Sequence, residues 1–574
     1  MSRETVQNAV WSWRSIAAVG LFVVVSLALL SRAIYLQVVD KKFLVAQGKE
    51  RHLRVEEIPA HRGMILDRNG EPLAVSTPVD SIWMNPQELD TATQQLPELA
   101  QALGLKTADV KQMLRRNPDK QFVYLARDLD PYVAQKVIAL KIPGVYSQRE
   151  FRRYYPTGEV TAHVLGFTNV DDRGQEGLEL AYDNWLRGIP GAERVIVDRF
   201  GHSVQDVDSL RSPRPGKDLT TSIDLRVQYL AYRALKQAVL QQNAKSGSII
   251  VMDAKTGEVL AMANQPSFNP NNRDDYIGNL YRNRAVTDQF EPGSSMKPFT
   301  IIAALLSGKY HPGSMINTSP GYYKVSGYTI SDDGHDYGDI NLTTLIEKSS
   351  NVGASKIALS LQPQLLWDTL NAFGFGRATG SGFPGEVAGA LPPWESWTQA
   401  RRATISYGYG VAITALQLAD AYDTLADSGI RHTPSFVKLD VPQTGERVIP
   451  VAIDHDMRSM LEAVVSDAGT GARADVAGYH VAGKTGTARI AENGGYSTKN
   501  YISVFAGMAP ATNPQLVAVV VIRDPSKGEY FASTVAAPVF AHVMTGALRL
   551  LDIPPDNLGN LTTTAYIVNL GHRS

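Results

Sequence analysis

The 574-residue chain contains no cysteine. Disulfides, thiolate metal sites and a cysteine nucleophile are therefore excluded. The absence also suits an oxidising compartment, where stray thiols are a liability. Net charge is nearly absent: 56 Lys and Arg against 57 Asp and Glu leave −1. So balanced a chain offers no general field for nucleic acid or an acidic surface. No internal repeat of about 20–50 residues and no low-complexity tract is present, so solenoids are not expected. Among the 11 histidines, His202, His480 and His542 show no ligand spacing. No metal or cofactor is expected. Hydrophobic content of 44% with 20% charge is globular. At about 150 residues per domain the length suggests three or four units, or one large domain with additions.

One long apolar run is present. Ser15 to Ser31 carries no charge, and Arg14 and Arg32 bracket it. Spanning takes roughly twenty residues. Ala33 to Val39 extend the helix if Arg32 snorkels to the interface. Trp11, Trp13 and Tyr35 are placed as interfacial aromatics. No small-x-small cleavage site follows Leu30, which disfavours a signal peptide. The expectation is a tail over 1–14 and a single-pass anchor over 15–39. Arg32, Lys41, Lys42, Lys49, Arg51 and Arg54 follow the run, so cation counting does not favour an inside N-terminus; long domains cross largely regardless of charge.

Glu50 to Glu57 begins a charged, extended arm. Asn69-Gly70 between Met64–Leu66 and Leu73–Val75 signals a hairpin. Gln94 to Arg115 reads as a helix with Leu96, Leu99, Leu103, Val110 and Met113 inward. Arg149 to Tyr155 is a short basic and aromatic cluster. Gly174 to Glu179 lacks a phosphate-loop setting and reads as turns. Proline, glycine and charge at 212–217 mark a boundary. Beyond it, Leu219–Ile223 reads as a strand, and Asp224 caps a helix to about Asn243. Ile249–Met252 and Val259–Met262 form a second hairpin. His480–Ala482, Ile502–Ala506 and Leu516–Ile522 are strands, and Ala536–Leu551 is a last helix.

The chemistry centres on Glu291-Pro292-Gly293-Ser294-Ser295-Met296-Lys297-Pro298-Phe299. Pro298 has no N–H and clashes one turn back in a helix interior. The helix therefore starts near Ser294, and it ends near Gly308. Residues three apart share a face, so Ser294 and Lys297 meet. A hydroxyl beside an amine able to lose its proton is a nucleophile with its base. Alone the pattern is weak; roughly one or two Ser-x-x-Lys occur by chance in such a length. Two companions strengthen it. Ser349-Ser350-Asn351 is a polar turn between apolar helical stretches. Lys484-Thr485-Gly486-Thr487 offers a cation and a backbone open to close approach. Ser267-Phe268-Asn269 and Lys255-Thr256-Gly257 are decoys, because both precede Ser294 and the second is a hairpin turn. His335 with Asp332, Asp333 and Asp336 reads as a solvated loop.

The order Ser294, Ser349, Lys484 is the signature of penicillin-recognising serine enzymes. The chain resembles the class B penicillin-binding proteins, most closely their cell-division type. Arg62-Gly63 with Asp67 to Gly70, Gly174 to Glu179, and Tyr407-Gly408-Tyr409-Gly410 carry the resemblance further. No glycosyltransferase domain is expected. The resemblance implies an α/β (α+β) transpeptidase domain over 219–560, its sheet flanked by helices. An extended, mainly β pedestal over 50–212 and one transmembrane helix precede it, and a tail over 561–574 follows. It implies a peptidoglycan D,D-transpeptidase of the division septum, single-pass in the inner membrane with its catalytic domain in the periplasm. Catalysis falls to Ser294, Lys297, Ser349, Asn351 and Lys484. Thr485, Gly486, Thr487, Tyr409 and Arg489 bind substrate, and the Ser294 and Thr487 N–H groups form the oxyanion hole. Implied partners are stem peptides ending in D-Ala-D-Ala, β-lactams, and, by analogy, a SEDS-type glycan polymerase with other division proteins. The elongation-type enzyme and a specialised division paralogue are the near alternatives. A serine β-lactamase and a non-catalytic scaffold or sensor are the distant ones.

Overall fold

The computed structural model describes residues 3–42, 53–197, 203–276, 279–492 and 495–558. Glu50 and Arg51 of the charged arm, His202 and the tail over 561–574 lie outside the described residues. The chain divides into two compact units. One comprises residues 1–61, 78–150 and 189–215; the other comprises 62–77, 151–188 and 216–574.

In the first unit a helix runs over Arg3–Ile34. Trp13–Val39 is long and apolar enough to cross a membrane, and its window is 0% buried. The Arg32 guanidinium stands 5.6 Å from the Tyr35 ring centroid. Leu53–Ile58, Gly191–Val197 and Ser203–Arg211 form an antiparallel sheet with Gly191–Val197 in the middle. Helices contribute as much as strands. Leu96, Leu99, Val110, Ala134 and Val137 share a core with Leu125. The single helix expected over Gln94–Arg115 is two, Leu96–Ala102 and Thr107–Arg116. Gly104 takes a left-handed conformation, φ 67°, and stops the first.

The second unit holds the chemistry. Asp224 caps helix α1, Leu225–Gln241, by accepting from the N–H groups of Arg226 and Val227. Strands β1, Ser246–Asp253, and β2, Val259–Gln265, form the expected hairpin. Helices α2 (Lys297–Leu306), α3 (Leu342–Lys348), α4 (Asn351–Ser360), α5 (Ala415–Ala426) and α6 (Val451–Val465) follow. Strands β3 (Ala482–Glu492), β4 (Gly495–Ala509) and β5 (Leu516–Arg523) precede the last helix, α7, Ala537–Leu550. The five strands form one antiparallel sheet in the order β2-β1-β5-β4-β3.

Side chains alternate across a strand, and here both faces are covered. Ile250, Val504, Val517 and Val519 enter a core with α2, α5 and α6. Ile249, Phe505, Ala518 and Val520 enter the other, with α1 and α7. A doubly covered sheet explains why Leu516–Ile522 is apolar without alternation.

Arg62, Arg153 and Glu179 are buried together. Arg62 reaches Glu179 at 2.7 Å and Asp183 at 2.8 Å, and Arg153 reaches Glu179 at 2.6 Å. Arg153, read from the sequence only as part of a basic cluster, thus fixes the backbone near Gly63, whose carbonyl accepts from it at 2.8 Å.

Candidate active site

Ser294 sits in a single 3-10 turn, Gly293–Met296, that feeds α2. Pro298 falls in the first turn of α2, where a missing N–H costs nothing. The turn is held from several sides. Ser295 Oγ donates to the Pro292 carbonyl at 2.8 Å, and the buried Tyr422 hydroxyl of α5 donates to the Ser295 carbonyl at 3.0 Å. The Glu291 carboxylate accepts from Gly410 N at 2.6 Å and from the Tyr496 hydroxyl at 3.0 Å.

Two glycines permit the closest contacts. A Cβ on Gly486 would lie 2.5 Å from the Pro292 carbonyl oxygen, and one on Gly408 would lie 2.1 Å from the Gly293 carbonyl oxygen. The space left by Gly486 is therefore taken by the nucleophile turn. Gly486→Ala should push β3 away from Ser294. Displacement on the order of 1 Å costs about 10²-fold in rate, so penicillin acylation should fall by that order while the chain still folds.

Lys297 is fully buried. Its Nζ lies within hydrogen-bond reach of four oxygens: Ser294 Oγ at 3.0 Å, Ser349 Oγ at 3.0 Å, Asn351 Oδ1 at 2.8 Å and the Ser349 carbonyl. Burial pushes its ammonium down to about 7, against the opposing pull of Asp332 and Asp333. Ser349 ends α3 in the left-handed region, φ 62°, which costs a non-glycine residue roughly 1–2 kcal/mol. That conformation turns both its oxygens toward Lys297.

Lys484 of β3 is also fully buried. Its Nζ bonds the Thr485 carbonyl at 3.3 Å and hydroxyl at 3.4 Å. Burial, then repulsion from Lys297, holds it well below the usual lysine range. The expected cation is thus behind Thr485 rather than in the open cleft. Thr487 Oγ1 accepts from Ala532 N at 3.0 Å. Arg489 N donates to the Tyr409 hydroxyl at 3.2 Å.

Ser294, Ser349, Asn351, Tyr409, Thr485, Thr487 and Arg489 line one cleft of about 700 Å³. Lys297, Lys484 and Gly486 support it from behind. The decoys stand elsewhere: Lys255 pairs with Asp427 at 3.3 Å, and Ser267 Oγ donates to the Glu159 carbonyl.

Sequence reasoning missed two parts. Tyr501 and Tyr530, stacked 4.0 Å apart, form a cleft wall with Phe531; no spacing marks them apart from core aromatics. Asp332, expected in a solvated loop, is 5% exposed. It accepts from Ser350 Oγ at 2.6 Å, Asn351 N at 2.5 Å and Val352 N at 2.9 Å. Asp333, His335 and Asp336 of the same loop are exposed as expected.

Residues 247–545 match the penicillin binding protein transpeptidase domain, and 57–221 match the penicillin-binding protein dimerisation domain. The probable peptidoglycan D,D-transpeptidase PbpC of Pseudomonas aeruginosa is 45% identical over 95% of this chain and 97% of its own. The peptidoglycan D,D-transpeptidase FtsI of Escherichia coli K12 is 43% identical over 98% and 95%. Among solved structures, a peptidoglycan synthetase from Bifidobacterium adolescentis aligns with TM-score 0.71 at 26% identity, over 88% of this chain and 98% of that one. The transpeptidase domain of penicillin-binding protein 3 from Burkholderia pseudomallei aligns with TM-score 0.54 at 40% identity, over 58% and 97%. A buried lysine shared between a nucleophile turn and a Ser-x-Asn turn thus sits within a matched sequence, and the chain belongs to the penicillin-binding proteins that join a dimerisation domain to a transpeptidase domain.

Proposed function

We propose that this chain is a peptidoglycan D,D-transpeptidase working through a Ser294 acyl-enzyme. The contact of Lys297 Nζ with Ser294, Ser349 and Asn351 at 2.8–3.0 Å carries the reading. Ser294 Oγ attacks the carbonyl between the two terminal D-alanines of a stem peptide, and neutral Lys297 takes its proton. The Ser294 and Thr487 N–H groups stabilise the oxyanion; losing one such donor typically costs about 10²–10³. The C–N bond then breaks. Ser349 passes a proton to the leaving nitrogen, and D-alanine departs. An amine of a neighbouring stem peptide attacks the acyl-enzyme, restores the Ser294 hydroxyl and forms the crosslink. Thr485 and Thr487 receive the terminal carboxylate, and Lys484 backs the strand there by reaching the Thr485 hydroxyl. Arg489 and Tyr409 border the same cleft. β-Lactams acylate Ser294 by imitating the D-Ala-D-Ala terminus.

The substrate lies outside the membrane, so the helix at the N-terminus serves as a single-pass anchor with the catalytic unit in the periplasm. Septal work beside a SEDS-type polymerase follows by analogy from the resemblance to the cell-division type; depletion should give filaments, and round cells would indicate elongation. The chemistry is tested by incubating the full-length chain with a D-Ala-D-Ala stem-peptide donor and an amine acceptor. Mass spectrometry should find the crosslinked product with release of D-alanine. Hydrolysis alone, with fast release of bound penicillin, would point to a β-lactamase, and no labelling would point to a scaffold.

A further inference from the structure

Asp332 is 18 residues before Ser350 and separated from it by a strand and a helix. It nevertheless bonds three successive residues of one turn. The first N–H groups of a helix lack intrahelical partners. In α4, Ser350 Oγ accepts from Gly353 N at 2.9 Å, while Asn351 N and Val352 N donate to Asp332 Oδ1, and the Ser350 hydroxyl donates to Oδ2. Asn351 Nδ2 also donates to the carbonyl of Ser331 at 3.0 Å. Residues 331 and 332 thus grip the Ser-x-Asn turn, whose Ser349 and Asn351 also meet Lys297.

That grip bears on the left-handed Ser349. Such a conformation persists only where the surroundings over-determine it, and Asp332 fixes the three residues that follow. Charge bears on it as well. The positive end of α4 meets a carboxylate at Asp332, as helix N-termini favour. The charged groups that act on Lys297 are Asp332 and Asp333, which favour its ammonium, and Lys297 in turn holds the neighbouring Lys484 down.

We propose that Asp332 is a positioning residue of acyl transfer, holding Ser349 and Asn351 on Lys297. The proposal rests on the reading of Lys297 as base given above. Asn at 332 keeps the shape: its oxygen accepts from the backbone, and the Ser350 hydroxyl can turn to accept from its amide. Asp332→Asn therefore removes charge, whereas Asp332→Ala removes the grip.

The test is the second-order acylation rate of the full-length chain with a fluorescent penicillin, measured from pH 5 to 9, alongside thermal midpoints. The base works neutral, so the wild-type rate falls as pH drops through the Lys297 midpoint. Losing a carboxylate makes the ammonium less favourable and moves that limb to lower pH, by roughly a unit in Asp332→Asn. Asp332→Ala should add a rate loss of about 10²-fold at the plateau, and Asp332→Glu should recover part of it. An unmoved limb in Asp332→Asn, together with a plateau loss in Asp332→Ala no larger than its loss of folded protein, would overturn the proposal alone. A Lys297→Arg chain that acylates at the wild-type rate would overturn the base assignment and this proposal with it.

Discussion

A Ser294→Ala chain will take up no covalent penicillin and form no crosslinked product, while its thermal midpoint stays within about 2 °C of the parent. The hydroxyl is only half-buried, so its removal opens no core cavity. It is one of four oxygens around Lys297 Nζ, and the Ser349 and Asn351 contacts stay. The turn itself hangs on Ser295 and Tyr422 rather than on Ser294. Labelling is read by in-gel fluorescence and stability by a melting curve. Label at another residue, or a melt lower by many degrees, would refute the assignment of Ser294 as the nucleophile on an independently built turn.

Lys297→Arg is expected to lose at least about 10²–10⁴ in acylation rate, the usual worth of general acid–base help. A guanidinium keeps the charge but does not deprotonate near neutrality, so it cannot take the serine proton. It is also larger than the site, which already fills Nζ with four acceptors. The parent chain should show an acid limb with midpoint near 7, the value to which burial brings Lys297. The sign follows from the chemistry: below the midpoint the amine is protonated and the rate falls tenfold per pH unit; above it the rate levels. Arg at 297 removes the limb along with the rate. A parent profile flat from pH 5 to 9 would count against a lysine base, as would an Arg chain with an intact limb.

Much of this was legible from the sequence. Pro298 placed the start of the nucleophile helix, since proline is tolerated only in a first turn, and the structure begins α2 one residue before it. Asp224 announced the cap of α1 and Leu516–Ile522 a strand, because both are local signals. Asp332 was not legible. Its partners come from a turn reached only after a further strand and helix, and a glycine- and aspartate-rich loop ordinarily faces water. Gly104 was misread because a helical stripe continues on both sides of it. The packing role of Gly486 was not legible either: its missing side chain makes room for the Pro292 carbonyl, a partner almost two hundred residues earlier in the chain. Long-range contact of backbone with backbone leaves no periodic trace.

The two close approaches at Gly408 and Gly486 have a consequence for how such an enzyme can change. Where main chain meets main chain, the aim of the nucleophile does not depend on which apolar side chains fill the layers beneath. Apolar substitutions away from Tyr422 can accumulate through drift without misdirecting Ser294, whereas a side chain at either glycine misaims it. Adaptation to a new inhibitor is thereby channelled to the cleft wall, where Tyr501, Tyr530 and Phe531 can vary without moving the reacting atoms.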